Sequence, residues 1–388
     1  MKEITTQIKN MGAYYIQYYD CYAQEKDGEH GLSHLVEHCL CENIKNYDAK
    51  LKEYGISWNA GTNEEGICFY MFGLDRYIRK FINKFTKAVL TYQITPEVFE
   101  RERKIVIAEY KQRFNDEFSR FCVNFERKHY NHSTVIGSLS DLENITYDKF
   151  MEFKNRIISN ISVIYYLHPK TKKKFEFDDD VKALIKEDGK EKKELNAKFN
   201  EKFQTKFPME YFNSGVTEEN ILMLLSKMTW KNKAEKYKNI ALAKVLEDYL
   251  AGGLTSYLYK EIREKLACVY SISGYHSIYQ KEGAVTFFLQ TSQENKDNVI
   301  KKLNKSLAKL KGKYSKRKFN ISVKNINIEN EMRECMNGTN PDMFVDETYL
   351  NVRKLFKEKK VTFEDFCKFA DQFIDTFTIY NDKDYMRD

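Results

Sequence analysis

The sequence is short of the residues that interrupt regular structure. It has 4 prolines in 388 residues, so helices and strands can run with few breaks. Tryptophan is rarer still, with 2 residues, although tyrosine and phenylalanine reach 27 each. No stretch approaches 18 uncharged apolar residues, the length a bilayer crossing needs, so no membrane partner is expected. The first nine residues lack an apolar core followed by a small-residue cleavage site, which argues against a secretory signal. The eight cysteines contain no C-x-x-C pair and read as reduced thiols of a cytoplasmic protein. No basic stripe is interleaved with stacking aromatics, so nucleic acid is not an expected partner.

What is present is ordinary for a globular chain: 42% hydrophobic and 31% charged residues, too apolar for disorder. The net charge of +7, from 64 basic and 57 acidic residues, is mild and suits an acidic peptide partner. The length predicts two domains. Residues 171–206 are dominated by Lys, Glu and Asp and read as the junction, separating an N-terminal domain (1–170) from a C-terminal one (207–388).

Residues 13–22, 67–72 and 161–167 read as strands in the first half. Residues 31–45 and 76–90 read as helices. Thr95-Pro96-Glu97 fits a helix start with Pro at the first position, and that helix runs through Glu109. In the second half, 240–250 reads as a helix stopped by Gly252-Gly253, and 256–266 as another. Strands are expected at 269–275 and 284–290, and further helices at 296–311 and 361–373. The similar order of elements in the two halves suggests a duplicated α+β unit, without a clean residue-level repeat.

The segment His34-Leu35-Val36-Glu37-His38 carries the chemistry. On a helix, positions i and i+4 share a face, so both imidazoles can reach one metal ion. Glu37 lies beside that site. A carboxylate there can act as general base on a water that the metal has made acidic. A third ligand should come from a neighbouring element. Glu109 and Glu102, seven residues apart on the helix after Pro96, share one face, and a buried carboxylate there needs a cation or donor.

These residues resemble the inverzincin family of pitrilysin, insulin-degrading enzyme and the mitochondrial processing peptidases. There an H-x-x-E-H helix is followed some ~70–80 residues later by a glutamate ligand. Glu109 follows His38 by 71 residues, and Glu102 stands where the family carries a supporting glutamate. Gly31-Leu-Ser-His34 resembles the glycine-led entry to the motif. Asn59-Ala60-Gly61-Thr62 resembles the segment beside the substrate-binding edge strand, and residues 132–146 the loop closing the first domain. Gly252-Gly253 through Arg263, with Tyr270 seven residues on, resembles the second-half turn, helix and Arg/Tyr pair.

The resemblance implies an α+β fold of two homologous domains, each a mainly antiparallel sheet with helices packed on one face. It implies a zinc metalloendopeptidase holding one zinc per chain on His34, His38 and Glu109. Glu37 would be the base, with Arg263 and Tyr270 steadying the reacting carbonyl and Asn59 and Ala60 binding the peptide. The family's four-domain chamber implies a dimer, either a homodimer or a heterodimer with a related peptidase-like subunit. General oligopeptidases and dedicated precursor-peptide maturases fit the resemblance alike, and some relatives are non-catalytic scaffold subunits. Three departures stand out. The start reads as one strand short, Cys39 and Cys41 replace apolar residues after the motif, and the junction is unusually charged. His129, His168 and His276 read as structural or exposed.

Overall fold

The computed structural model describes residues 1–6, 10–19, 21–63, 66–130, 134–158, 163–169, 174–185, 219–278, 282–336 and 347–385. These divide into two compact units, one holding the described residues up to Ile185 and the other chiefly those from Glu219 onward. Of the charged stretch 171–206, residues 174–185 are described and pack with the first unit, where Val181 is buried. The remainder of that expected junction lies outside the described residues, as does His132 in the expected closing loop.

The first unit is built on a five-stranded sheet. Its strands are β1 (Lys2–Thr6), β2 (Met11–Tyr19), β3 (Ser57–Asn63), β4 (Gly66–Leu74) and β5 (Val163–Pro169), in the order β1-β5-β2-β4-β3. All pairings are antiparallel except β1 with β5. The strand that seemed missing from the start is therefore present: Lys2 to Thr6 pair with Tyr165 to Pro169. Five residues of mixed polarity give no alternation to read; the partner strand confers the conformation.

Helices α1 (Leu32–Lys45), α2 (Asp48–Glu53), α3 (Asp75–Leu90), α4 (Pro96–Arg113), α5 (Glu117–Tyr130), α6 (Leu139–Asn144), α7 (Tyr147–Ile158) and α8 (Asp179–Leu184) complete it. Their boundaries follow from local chemistry. Thr95 Oγ1 accepts from the Val98 N–H, with Pro96 at the first helical position of α4, as a capped start should. In α3, Ile78, Phe81, Ile82, Phe85 and Val89 are all buried, an apolar stripe at helical spacing that docks on the sheet. Tyr14 of β2 reaches Thr86 of α3 at 2.6 Å. Strand β3 pairs with β4 alone, and its residues alternate between exposed and half-buried, the profile of an edge strand.

The second unit repeats this plan. Strands β6 (Glu219–Thr229), β7 (Val269–Ile278), β8 (Glu282–Ser292) and β9 (Thr378–Asn381) form a sheet in the order β7-β8-β6-β9, antiparallel throughout. That is the order β3-β4-β2-β5 of the first unit. A helix (Lys233–Ala251) follows β6 as α1 follows β2, and another (Lys296–Leu310) follows β8 as α3 follows β4. Leu246, Leu258, Phe287, Leu303 and Phe366 lie in one apolar core of this unit. The expected helix over 256–266 forms with a π-helical stretch, Tyr259–Glu264.

Candidate active site

Helix α1 begins at a position only glycine can fill. Gly31 has φ +104°, and a Cβ there would lie 2.8 Å from both the Ile136 carbonyl oxygen and a Leu142 methyl. From that start, Leu35, Val36, Leu40 and Ile44 are fully or almost fully buried. The helix is thereby fixed in rotation, and the opposite arc carries His34 and His38. Their ring centroids are 4.7 Å apart, nearly perpendicular.

Helix α4 packs beside α1 and brings the carboxylates. Glu109 Oε2 lies 3.8 Å from His34 Nε2 and 3.5 Å from His38 Nε2. One ligand atom from each of the three residues falls within 4.8 Å of the others, and among the described residues this is the group that could hold a metal ion. Tetrahedral zinc with bonds near 2.0–2.1 Å sets ligand atoms about 3.3 Å apart. The donor set and its spacing therefore fit one such ion.

The remaining faces of the site are also occupied. His38 turns Nδ1 to Glu102 Oε2 at 3.5 Å. Glu102 is 1% exposed and accepts from Arg101 Nε at 3.1 Å. A carboxylate on that side favours the proton on Nδ1, with Nε2 facing Glu109 and the centre of the metal group. Burial, then His38 and Arg113, push the His34 pKa down to about 3. The ring is thus neutral and ready to ligate. Glu37 is buried and accepts a 2.8 Å hydrogen bond from Thr62 Oγ1 on β3. Burial raises its pKa; Thr62 and His38 oppose the rise and Glu109 adds to it. A carboxylate whose pKa is raised beside a group that could hold a metal is suited to take and return a proton.

Asn59 and Ala60 lie on the same edge strand as Thr62. Asn59 Oδ1 accepts from the Ala60 N–H at 2.9 Å, so a side chain covers one main-chain donor of that strand. Burial pushes the thiols of Cys39 and Cys41 far up, which makes them poor nucleophiles and poor metal ligands. His129 stacks on Phe125 at 4.4 Å and His168 on Tyr166 at 4.8 Å. His276 binds Glu247 at 2.8 Å. None of the three belongs to the metal group found among the described residues.

Arg263 and Tyr270 belong to the second unit. Arg263 Nη1 donates to the Tyr259 hydroxyl at 2.6 Å, and its guanidinium sits 4.8 Å from that ring's centroid. Tyr270 is 68% exposed. It lies within a β-bulge, where the β7–β8 register shifts between Val269 and Ile272, and bulges commonly re-aim a side chain.

Thr62 and Glu25 were not among the residues singled out for the chemistry. Thr62 was within reach, because it closes the Asn59–Thr62 segment. Glu25 accepts from the Gly31 and Ser33 N–H groups, and backbone donors leave no pattern in a sequence.

Residues 22–135 match the family model described as insulinase (peptidase family M16), and residues 182–326 match that of the peptidase M16 inactive domain. An uncharacterized zinc protease of Rickettsia felis is 21% identical over 297 residues, covering 74% of this chain and 69% of the relative. The uncharacterized zinc protease YmxG of Bacillus subtilis is 22% identical over 296 residues, covering 72% and 68%. Among solved structures, a protease from Helicobacter pylori matches with TM-score 0.66 at 15% identity, over 98% of this chain and 95% of the other. The peptidase M16 inactive domain from Pseudomonas fluorescens matches with TM-score 0.70 at 14% identity, over 98% and 94%.

Proposed function

We propose that this chain, which belongs to the insulinase family (peptidase family M16), is a zinc-dependent endopeptidase that cleaves peptides or unfolded segments. The observation that carries the reading is the convergence of His34 Nε2, His38 Nε2 and Glu109 on one point, with Glu37 beside it. The names of the curated relatives, zinc proteases, agree with it.

The residues divide the work. His34, His38 and Glu109 would hold the metal. When bound, zinc supplies Lewis acidity, lowering the pKa of water to about 7 and polarising the scissile carbonyl. Glu37 takes the proton of the attacking water and returns it to the leaving amine. Thr62 keeps Glu37 aimed, and Glu102 keeps His38 in one tautomer. The open edge of β3 takes the peptide as an added strand through main-chain hydrogen bonds, which places little demand on sequence. Asn59 then swings aside to release the Ala60 N–H. Arg263 and Tyr270 steady substrate carbonyls as charge develops.

Open strand edges are usually covered. A dimer, either of identical chains or with a related subunit, would enclose the edge and limit access to flexible peptides. The substrate is a general oligopeptide or a dedicated precursor peptide. A second reading, a non-catalytic subunit of the same fold, draws on the match of residues 182–326 to the inactive-domain model. Metal analysis and a fluorogenic-peptide assay on the purified chain, alone and with any related subunit, decide between them. One zinc per chain with turnover supports the peptidase; zinc without turnover under every pairing supports the subunit.

A further inference from the structure

Both carboxylate oxygens of Glu25 are taken by backbone N–H groups at the start of α1. Oε2 accepts from Gly31 at 3.0 Å and Oε1 from Ser33 at 2.7 Å. Glu25 is buried, 9% exposed, and no cationic side chain pairs with it among the described residues.

A helix start leaves its first N–H groups without partners, and the aligned peptide dipoles make that end positive. Side-chain caps normally come from Ser, Thr, Asp or Asn at the boundary. Here the boundary residue is Gly31, which has no side chain to offer. The cap is supplied from six residues upstream instead. The segment carrying it is itself tied down. Glu29 accepts from the Lys26 N–H at 3.0 Å and from Arg156 Nη2 at 2.8 Å, and Lys149 Nζ donates to the Gly28 carbonyl at 2.6 Å. Arg156 and Lys149 both belong to α7. A buried carboxylate without a cation is costly, and this one does not touch the three metal-group residues. Its bond to Ser33 N–H is one peptide away from His34.

The geometry points to Glu25 as a positioning residue for the metal centre: its carboxylate fixes the first turn of α1 so that His34 meets His38 and Glu109 around one ion. The inference rests on the zinc reading above. Residues that orient ligands from behind are as decisive as the ligands' own chemistry, because a ligand free to rotate must be ordered when the metal binds. Glu25 does this through the main chain, without contacting an imidazole.

Chelator competition on the full chain tests it, with wild type, Glu25→Gln, Glu25→Asp and Asn232→Ala compared. Wild type is read first: a chain that binds no zinc overturns both the site and this inference. In Glu25→Gln the amide turns an N–H group toward one of the two backbone donors, and zinc affinity falls by about 10-fold or more. Glu25→Asp, which keeps both oxygens on a shorter arm, recovers part of the loss. Asn232 caps the helix Lys233–Ala251, accepting from the Glu235 N–H at 2.9 Å, in the unit without the metal group. Asn232→Ala therefore lowers the melting temperature and leaves zinc affinity where it was. Amide exchange of apo protein over residues 31–37 is faster in Glu25→Gln than in wild type. Zinc affinity equal to wild type in a folded Glu25→Gln overturns the inference while leaving the zinc site standing. Should that variant not fold, equal affinity and equal exchange in Glu25→Asp overturn it in the same way.

Discussion

Thr62 Oγ1 donates to Glu37 Oε2 at 2.8 Å, tying the edge strand β3 to the carboxylate that α1 places beside the metal group, across 25 positions of sequence. One strand thus carries both the residue that orients the base and, at Asn59 and Ala60, the backbone that a peptide would meet. In the proposed mechanism, substrate docking and proton transfer would share a mechanical support. In Thr62→Val the shape is kept and the donor is lost. A hydrogen bond to a charged group contributes about 1.5–3 kcal/mol, so kcat falls by roughly 10- to 100-fold. Zinc content stays at the wild-type level, because Thr62 touches no metal-group residue. Steady-state kinetics with metal analysis check this; a variant that loses zinc would contradict the assigned role.

Glu37→Gln separates base from ligand. The amide keeps the size of the side chain and cannot accept a proton, so the variant holds zinc while turnover drops by at least about 10²-fold. Near-normal cleavage by this variant would remove Glu37 from the mechanism.

The metal group and its support are separable by affinity. His38→Ala deletes a ligand and abolishes stoichiometric zinc binding. Glu102→Gln keeps all three ligands but weakens the hold on His38 Nδ1, lowering zinc affinity by about 10- to 100-fold. Chelator titration of the two variants gives that ranking; equal affinity in Glu102→Gln and wild type would leave Glu102 without the orienting role.

Lys244, on the helix Lys233–Ala251, predicts a pH effect on stability. Burial lowers its pKa from 10.5, with Arg333 adding to the fall and Glu247 and Glu329 opposing it. The unfolded chain then binds more protons than the native one between the lowered value and 10.5. Stability therefore rises with pH through that window, and the penalty is largest below it. Lys244→Met removes the titration and keeps the length of the side chain. The variant melts above wild type at pH 7, and the gap narrows at pH 10. Paired thermal melts give the answer, and a gap that widens with pH would reverse the sign assigned here.

Much of the site was legible because it lies on regular helices. Gly31 and the Thr95-Pro96 start fix where α1 and α4 begin, and helical spacing then dictates which residues share a face. The i, i+4 histidines and the seven-residue spacing of Glu102 and Glu109 follow from that alone. The edge strand was not legible by pattern, since Ser57 to Asn63 contain two Asn, a Gly and a Ser, and become a strand by pairing with β4. The parallel pairing of β1 has the same origin. The exposure of Tyr270 comes from a register shift that involves two strands. The repeat was readable only as an order of elements, because identical strand arrangements require apolar faces and not identical residues.

The seat of Gly31 also bears on when the metal site can form during synthesis. The Ile136 carbonyl and the Leu142 side chain wall in Gly31, and the neighbouring His30 N–H donates to Asp141 across 111 positions. Glu109 itself arrives long after the histidines. A nascent chain that has emitted only the H-x-x-E-H segment has neither the third carboxylate nor the wall that starts the helix. Contacts so distant in sequence form late and at the cost of closing a large loop. On the proposed zinc reading, the metal centre would accordingly be a product of the folded first unit, and zinc capture would follow completion of roughly its first 140 residues rather than guide it.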